Sequence, residues 1–283
     1  MRRTHGVRTQ GMVLVAVLWI VAALALIVVG LVHNVRQEAR VLSSQRALAV
    51  AGGVGDAAVQ LALRQLAVLE APPTRMLTLP VTYRQTAVAV RVMPLNGLID
   101  LNAAGAPLLA ALYEVAGGLP RNEAQSLAAR TLAWRAGSAS VRAERFEAVE
   151  DLLRVPGVDL ELYARLAPLV AADNGGSSGG VNALAAPLEV LQVLAGGRPG
   201  IAVRIAAARD AGDAGIDTTD LPAAFLESGA VQRYRIDASV PLPDGGWLHV
   251  AHHVHLGTEP QARLPWRTFH TEQWVVPVQA PLS

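Results

Sequence analysis

The hydrophobic pattern divides the chain into regions of different period. From Met12 to Val32 there are 21 residues without a charge. After His33 the pattern turns amphipathic. Val35, Ala39, Leu42, Arg46, Ala49 and then Val59, Leu61, Leu63 and Leu66 predict a helix to about Leu69, ended by Pro72-Pro73. Gly52, Gly53 and Gly55 fall in its middle, each costing about 1 kcal/mol relative to Ala. "LTLPVTY" and "AVAVRVM", within Leu77–Met93, predict two strands, the second alternating cleanly. From Asn102 to about Phe225 the chain is Ala/Leu-rich with helical period, punctuated by Pro107, Gly117-Gly118, Pro156-Gly157 and Pro168. "NGGSSGG" (174–180) reads as a flexible linker. Strands return after Gly229, where "PLPDGG" signals a hairpin between "AVQRYRIDASV" and "WLHVAHHVHL". The tail from Gly257 carries four Pro residues and predicts one weak strand near Glu272–Val276 and a loose end.

A repeat lies inside the helical region. "LNAAGAPLLAAL" (101–112) and "VNALAAPLEVLQVL" (181–194) coincide at an offset of 80 in an Asn, a Pro five residues later and an apolar run. Asn is a favoured N-cap, because its side-chain oxygen accepts an orphan backbone N–H. Asn102 and Asn182 are therefore expected to cap helices. Two helical modules follow, 103–173 and 181–226, joined by the linker.

Charge and composition narrow the chemistry. Formal net charge is +1, and every basic residue is Arg; without residues 1–11 the count is 21 basic against 23 acidic residues. Such a balance gives no general reason to expect nucleic acid or anionic lipid as a partner. Cysteine is absent, which excludes disulfides, thiolate metal sites and a Cys nucleophile. No nucleophile elbow set between a strand and a helix, Walker loop or HExxH occurs, so an enzyme is not expected. "LLRVPGVDLELYARL" looks like a helix-hairpin-helix, a device that presents hairpin amides to phosphates. Yet residues 141–173 hold four Arg against seven acids, which should repel a DNA backbone. His249, His252, His253 and His255 form the metal-like cluster. On a strand, His249, His253 and His255 share one face and His252 points the other way. A solvated face is the plainer reading; no metal or other cofactor is expected.

Two readings compete for the N-terminal run. A secretion signal has an apolar core of about 7–15 residues and then a small-residue cleavage site. Ala23-Leu24-Ala25 qualifies, but apolar residues continue to Val32, so cleavage would fall inside the core. As a helix, Met12–Val32 reaches roughly 31 Å, about one hydrocarbon thickness. Arg2, Arg3 and Arg8 before it place the N-terminus in the cytoplasm and the body in the periplasm.

The short basic leader ending in Gly11, with Met12 opening the apolar run, resembles the class III signal of type IV pilins and type II secretion pseudopilins. The resemblance implies cleavage between Gly11 and Met12, methylation of the new amine and a hydrophobic helix kept on the mature subunit. Most such proteins carry Glu at the fifth mature position; here it is Ala16. Together with "GLIDLNAA", "GGVNALAAPLEVL" and Phe146–Val170, this resembles the K family of minor pseudopilins (general secretion pathway protein K) over most of residues 8–256. It implies an α+β fold, with a long N-terminal hydrophobic helix, pilin-like strands and a large α-helical domain inserted between the strands. The expected divisions are a leader (1–11), a transmembrane or filament-core helix (12–32), the rest of the helix with the first strands (33–101), the helical insertion (102–228), the last strands (229–256) and a tail (257–283).

The implied function is capping of the periplasmic pseudopilus tip and initiation of its assembly in the inner membrane for protein export. The implied partners are the other minor and major pseudopilins, prepilin peptidase, inner-membrane secretion components, and secreted substrate or the outer-membrane channel, with no nucleic acid. In this family, acids after a Trp contribute to calcium sites. Here Trp134 is followed by "RAGSAS", with no carboxylate until Glu144, and calcium ligands are not evident. The alternative is a single-pass periplasmic DNA-binding protein using the hairpin.

Overall fold

The structure is a computed structural model. It describes residues 8–137, 145–172, 178–257 and 264–277; in the first helix, side chains are described for 15–24 and from 42 onward. The leader residues 1–7, the stretch 138–144 with Glu144, most of the expected linker and the tail segments 258–263 and 278–283 lie outside the described residues. Contacts divide the chain into two units, 1–51 and 52–283.

In chain order the elements are α1 (Arg8–Ala67), β1 (Leu77–Tyr83), β2 (Thr86–Pro94), β3 (Ile99–Asp100), α2 (Ala106–Ala111), α3 (Arg121–Ala136), α4 (Leu160–Leu166) and β4 (Val170–Ala171), then α5 (Leu188–Leu194), α6 (Pro199–Asp210), β5 (Arg233–Pro241), β6 (Trp247–Leu256) and β7 (Trp266–Val276). The fold is thus mixed helix and sheet, with one long apolar N-terminal helix. An antiparallel sheet runs in the order β1-β2-β5-β6-β7, and β3 pairs with β4. β2 and β5 are neighbours in the sheet although about 140 residues of helical block separate them in the chain.

In the second unit, α1 buries a stripe of Val54, Ala58, Val59, Ala62, Leu63 and Leu66, the i, i+4 spacing of one helix face. Opposite it stand Val90 and Val92 of β2, Ile236 and Ala238 of β5, and Val250 and Val254 of β6, all buried. Burying a side chain such as Val59 or Leu63 contributes about 1.5–3 kcal/mol. The glycines do not interrupt the helix. Gly55 lets it approach β6: a Cβ there would lie 2.5 Å from Val250 Cγ2. Gly53 has open space around it.

β1 and β2 are joined through Arg84 and Gln85, both at positive φ (47° and 68°), as a two-residue type I′ hairpin requires. The expected hairpin between β5 and β6 forms, closed by Leu242 N–H donating to Gly246 O at 2.8 Å. The C-terminal expectation needs correction. The chain forms an 11-residue strand, Trp266–Val276, paired along β6, longer than the weak strand expected near Glu272–Val276; the expected loose end falls on 278–283, outside the described residues. A register shift between His253 and Val254 breaks the period-2 pattern that would have betrayed it.

The helical block builds its own core from Leu109, Leu112, Tyr113, Leu127, Leu152, Leu166, Val190, Leu191 and Leu194. Each module is closed by a short parallel pairing of its ends: β3 with β4, and Val181 with Leu226. These closures fall at the ends of the two modules inferred from the repeat.

The capping roles expected of Asn102 and Asn182 are not what the structure shows. α2 begins after Gly105 and α5 after Pro187, neither with a side-chain cap. Asn102 instead ties three strands of chain together. Its Oδ1 accepts from Phe146 N at 2.9 Å, while Nδ2 donates to Phe146 O at 2.9 Å and to Ala172 O. The turn at 101–104 is held by Asp100, whose Oδ1 accepts from Asn102 N and Ala103 N. Asn182 does both jobs at its own site. Oδ1 accepts from Leu184 N at 3.0 Å, and Nδ2 donates across to Thr74 O at 2.6 Å.

Two predictions follow from these contacts. Gly55→Ala should destabilise the protein by about 1–3 kcal/mol through overpacking, despite the better helix propensity of Ala. Gly53→Ala should stabilise it by up to about 1 kcal/mol. Denaturant unfolding of the two variants checks both signs. For Asn102, a cap tolerates Asp as well as Asn, whereas a crosslink that must donate does not. Asn102→Asp should therefore lower the unfolding free energy nearly as much as Asn102→Ala, by about 2–4 kcal/mol for several half-buried hydrogen bonds.

Candidate functional site

The first candidate surface is the N-terminal part of α1. Its described side chains, Val15–Leu24, are exposed on every side of the helix. Val15, Leu18, Trp19, Val21 and Leu24 are 57–73% exposed. An apolar helix presented all round in water is unfavourable; it fits a lipid or protein surround. Gly11 and Met12 lie on continuous helical backbone within α1, and Ala16 is exposed among apolar neighbours. Among the described residues, Leu42–Ala67 is long and apolar enough to cross a membrane by length and composition, with 44% of its window buried. That burial is the packing against the sheet. Val15–Leu24 is a shorter apolar stretch, with neighbours outside the described side chains.

The second candidate is the sheet face opposite α1. Strand alternation turns His249, His253 and His255 outward and His252 inward, as expected. His252 Nε2 meets Asp56 of α1 at 2.8 Å. The outward three do not converge. His249 Nδ1 lies 3.1 Å from Asp237 Oδ1, and its ring stacks on Trp274 at 5.0 Å and 8°. His253 pairs with residues of β7. Glu272 Oε1 is 3.1 Å from His253 Nε2 and 3.2 Å from His270 Nε2, with Arg235 3.8 Å from its other oxygen. The His253 hydrogen bond, then the charges of Arg235, His253 and His270, outweigh burial and hold the Glu272 carboxyl at about 2. The carboxylate sits where both imidazoles point. No group of three or more His, Asp or Glu among the described residues is arranged to hold a metal ion. Sequence reasoning missed Glu272 and His270. They lie one strand over, in a segment whose patterning was weak.

This face forms one wall of a cleft of about 960 Å³. Arg233, His253, Phe269 and Trp274 line the sheet side, and Glu147, Glu150 and Tyr163 line the helical side. Burial, then Glu150 and Glu272, raises the Tyr163 phenol. A hollow of about 560 Å³ adjoins it, sharing Arg235, Pro168 and Trp274. Both signs of charge line the cleft.

The helix-hairpin-helix candidate is a six-residue 3₁₀ helix (Val149–Arg154), a turn with Gly157 at φ 101°, and α4. Asp159 caps α4, accepting from Leu162 N at 2.8 Å. Arg130 of α3 donates from Nε to Pro156 O at 2.7 Å, and its guanidinium covers the Gly157 position. The hairpin is thereby packed against its own block.

Glu272 yields a pH prediction. Its folded value lies below the ordinary carboxylate range, so its contribution to stability is full above about pH 4.5 and is lost as pH falls through about 2. Glu272→Gln should lower the melting temperature at pH 7. That difference from wild type should shrink below pH 4.5 and vanish near pH 2.

No protein-family model matches the chain, and no curated protein matches its sequence.

Proposed function

We propose that this chain is a minor pseudopilin of a type II secretion system, anchored by a retained N-terminal helix and placed at the tip of the periplasmic pseudopilus. The observation that carries this reading is the helix itself. α1 runs from Arg8 to Ala67 without a break. Its early part carries exposed apolar side chains at 15–24, while residues 54–66 form the core face of a sheet. One helix serving two surroundings suits a subunit that sits first in lipid and later among sister helices. The pilin-like arrangement belongs to this proposal: the second half of the helix against an antiparallel sheet, with a bulky helical block entered between neighbouring strands β2 and β5.

The absence of a carboxylate at Ala16 supports a tip position. A charge near the bilayer interior costs about 2.5–3.5 kcal/mol unless it is paired. A subunit with no neighbour above it lacks the amine that would pair it. The helical block would then cap the fibre and meet companion subunits, export substrate or the outer-membrane channel. Prepilin peptidase would remove residues 1–11. The N-terminus is assigned to the cytoplasm and the body to the periplasm by the leader arginines. A DNA-binding role is disfavoured by the acidic flank of the hairpin and by the packing of Arg130 on it.

Intact mass of the membrane-embedded protein tests the proposal. Loss of residues 1–11 with one added methyl is expected. An intact N-terminus, or cleavage after Ala25, overturns it.

A further inference from the structure

The two edges of the sheet are unlike. β1 closes one edge with seven residues and carries Pro80 at its centre, which lacks the N–H that a further strand would need. β7 closes the other with 11 residues. The register shift at 253/254 interrupts its pairing near Phe269. From His270 to Val276 it holds no Pro, Lys or Arg, residues that commonly blunt an edge. The acid there, Glu272, is engaged on its own sheet by His253, His270 and Arg235. Among the described residues, β6 supplies the only backbone paired with this stretch, so alternate residues present N–H and C=O groups outward. Phe269, Val275 and Val276 are 41–45% exposed along the same strand. The cleft of about 960 Å³ opens beside this edge, with Phe269, His270, Glu272 and Trp274 on its wall. Across it Glu147 and Glu150 are exposed, and no described Arg or His pairs with either. The cations of the sheet wall have partners: Arg235 lies near Glu272 and Asp237, and Arg233 lies over the Phe269 ring. The unmatched charge of the cleft is therefore negative.

We propose that the β7 edge and this cleft form one docking site for an extended segment of a partner protein that carries an Arg or Lys. The segment's backbone adds a further strand beside residues 270–276. Its alternate side chains then fall on the outer face of the sheet, and the basic one among them enters the cleft toward Glu147 and Glu150. The two parts do different work. Main-chain hydrogen bonds supply affinity, and the unpaired carboxylates select the side chain. Charge complementarity also decides against a second copy of this chain as the occupant. β7 of another copy would bring Glu272, a further acid; its one Arg, Arg267, precedes the register shift and is already partnered. β1 of another copy has no charged residue and is broken by Pro80. The site stands on the body alone and does not require the N-terminal anchor.

The probe is a capped peptide of about nine residues, a strand's length, alternating Thr and Val with Arg at its centre. The control peptide has Gln there. Each is titrated into the full chain in detergent micelles, with amide hydrogen exchange and peptide anisotropy as readouts. The Arg peptide should slow exchange within 270–276 and leave β1 unchanged. It should bind roughly three- to fivefold more tightly than the Gln peptide, the effect of a half-exposed ion pair. Glu147→Gln combined with Glu150→Gln should abolish that preference while the Gln peptide binds as before, which a loss of folding would not allow. No binding of either peptide, protection that spares 270–276, or a preference that survives the double variant overturns the proposal. A chain that is dimeric without peptide and already protected at 270–276 also overturns it, because a second copy then holds the edge. Intact mass of the N-terminus is read separately. Its failure ends the proposed anchor and leaves this site standing, while a correctly processed chain without the peptide effects ends this site alone.

Discussion

The apolar seam between the second half of α1 and the inner face of β2, β5 and β6 is the contact on which the body depends. It joins a local element to strands from both ends of the chain, since β2 precedes the helical block and β5 follows it. Gly55 sets the spacing of that seam through its approach to Val250. The facing residues are Val, Ile, Leu and Ala, with one ionisable pair among those described on the interface, Asp56 with His252. Packing so dense tolerates neither a cavity nor an added methyl.

Polar ties brace the helical block, the frame and the join between them. Asn102 holds Phe146 and Ala172 beside the turn that opens the first module. Asn182 links the second module to Thr74, just before the sheet begins. The Tyr234 hydroxyl of β5 lies between two carbonyls, 3.0 Å from Pro73 O and 2.8 Å from Val231 O, and shares its one proton between them. Buried and half-buried groups of this kind carry specificity because each lost partner leaves another polar group unsatisfied. The block is thus oriented as well as packed, a useful property for a rigid cap.

Much of the fold was legible because its signals were local. The apolar run, the alternation in β2 and the turn residues at 242–246 all lie in short windows. What escaped was non-local. Asn102 and Asn182 look like caps because capping is the commonest local use of Asn, while their actual partners stand up to 108 residues away. β7 was hidden by Pro-rich flanks and by a register shift that breaks the alternation. The His253, His270 and Glu272 cluster arises from cross-strand pairing. His249, although on the proper face, is drawn to Asp237 and Trp274. The helical hairpin was legible as a shape, and its charge balance pointed to packing before Arg130 was seen to cover it.

The account turns on α1 being one helix with a lipid-facing start and a sheet-facing end, kept whole in the mature protein. Alkaline extraction of membranes bearing the full chain addresses this most directly. The account predicts that the protein stays with the lipid after carbonate treatment, while a chain beginning at His33 is exported soluble and unfolds cooperatively. Release of the full chain by carbonate would contradict it.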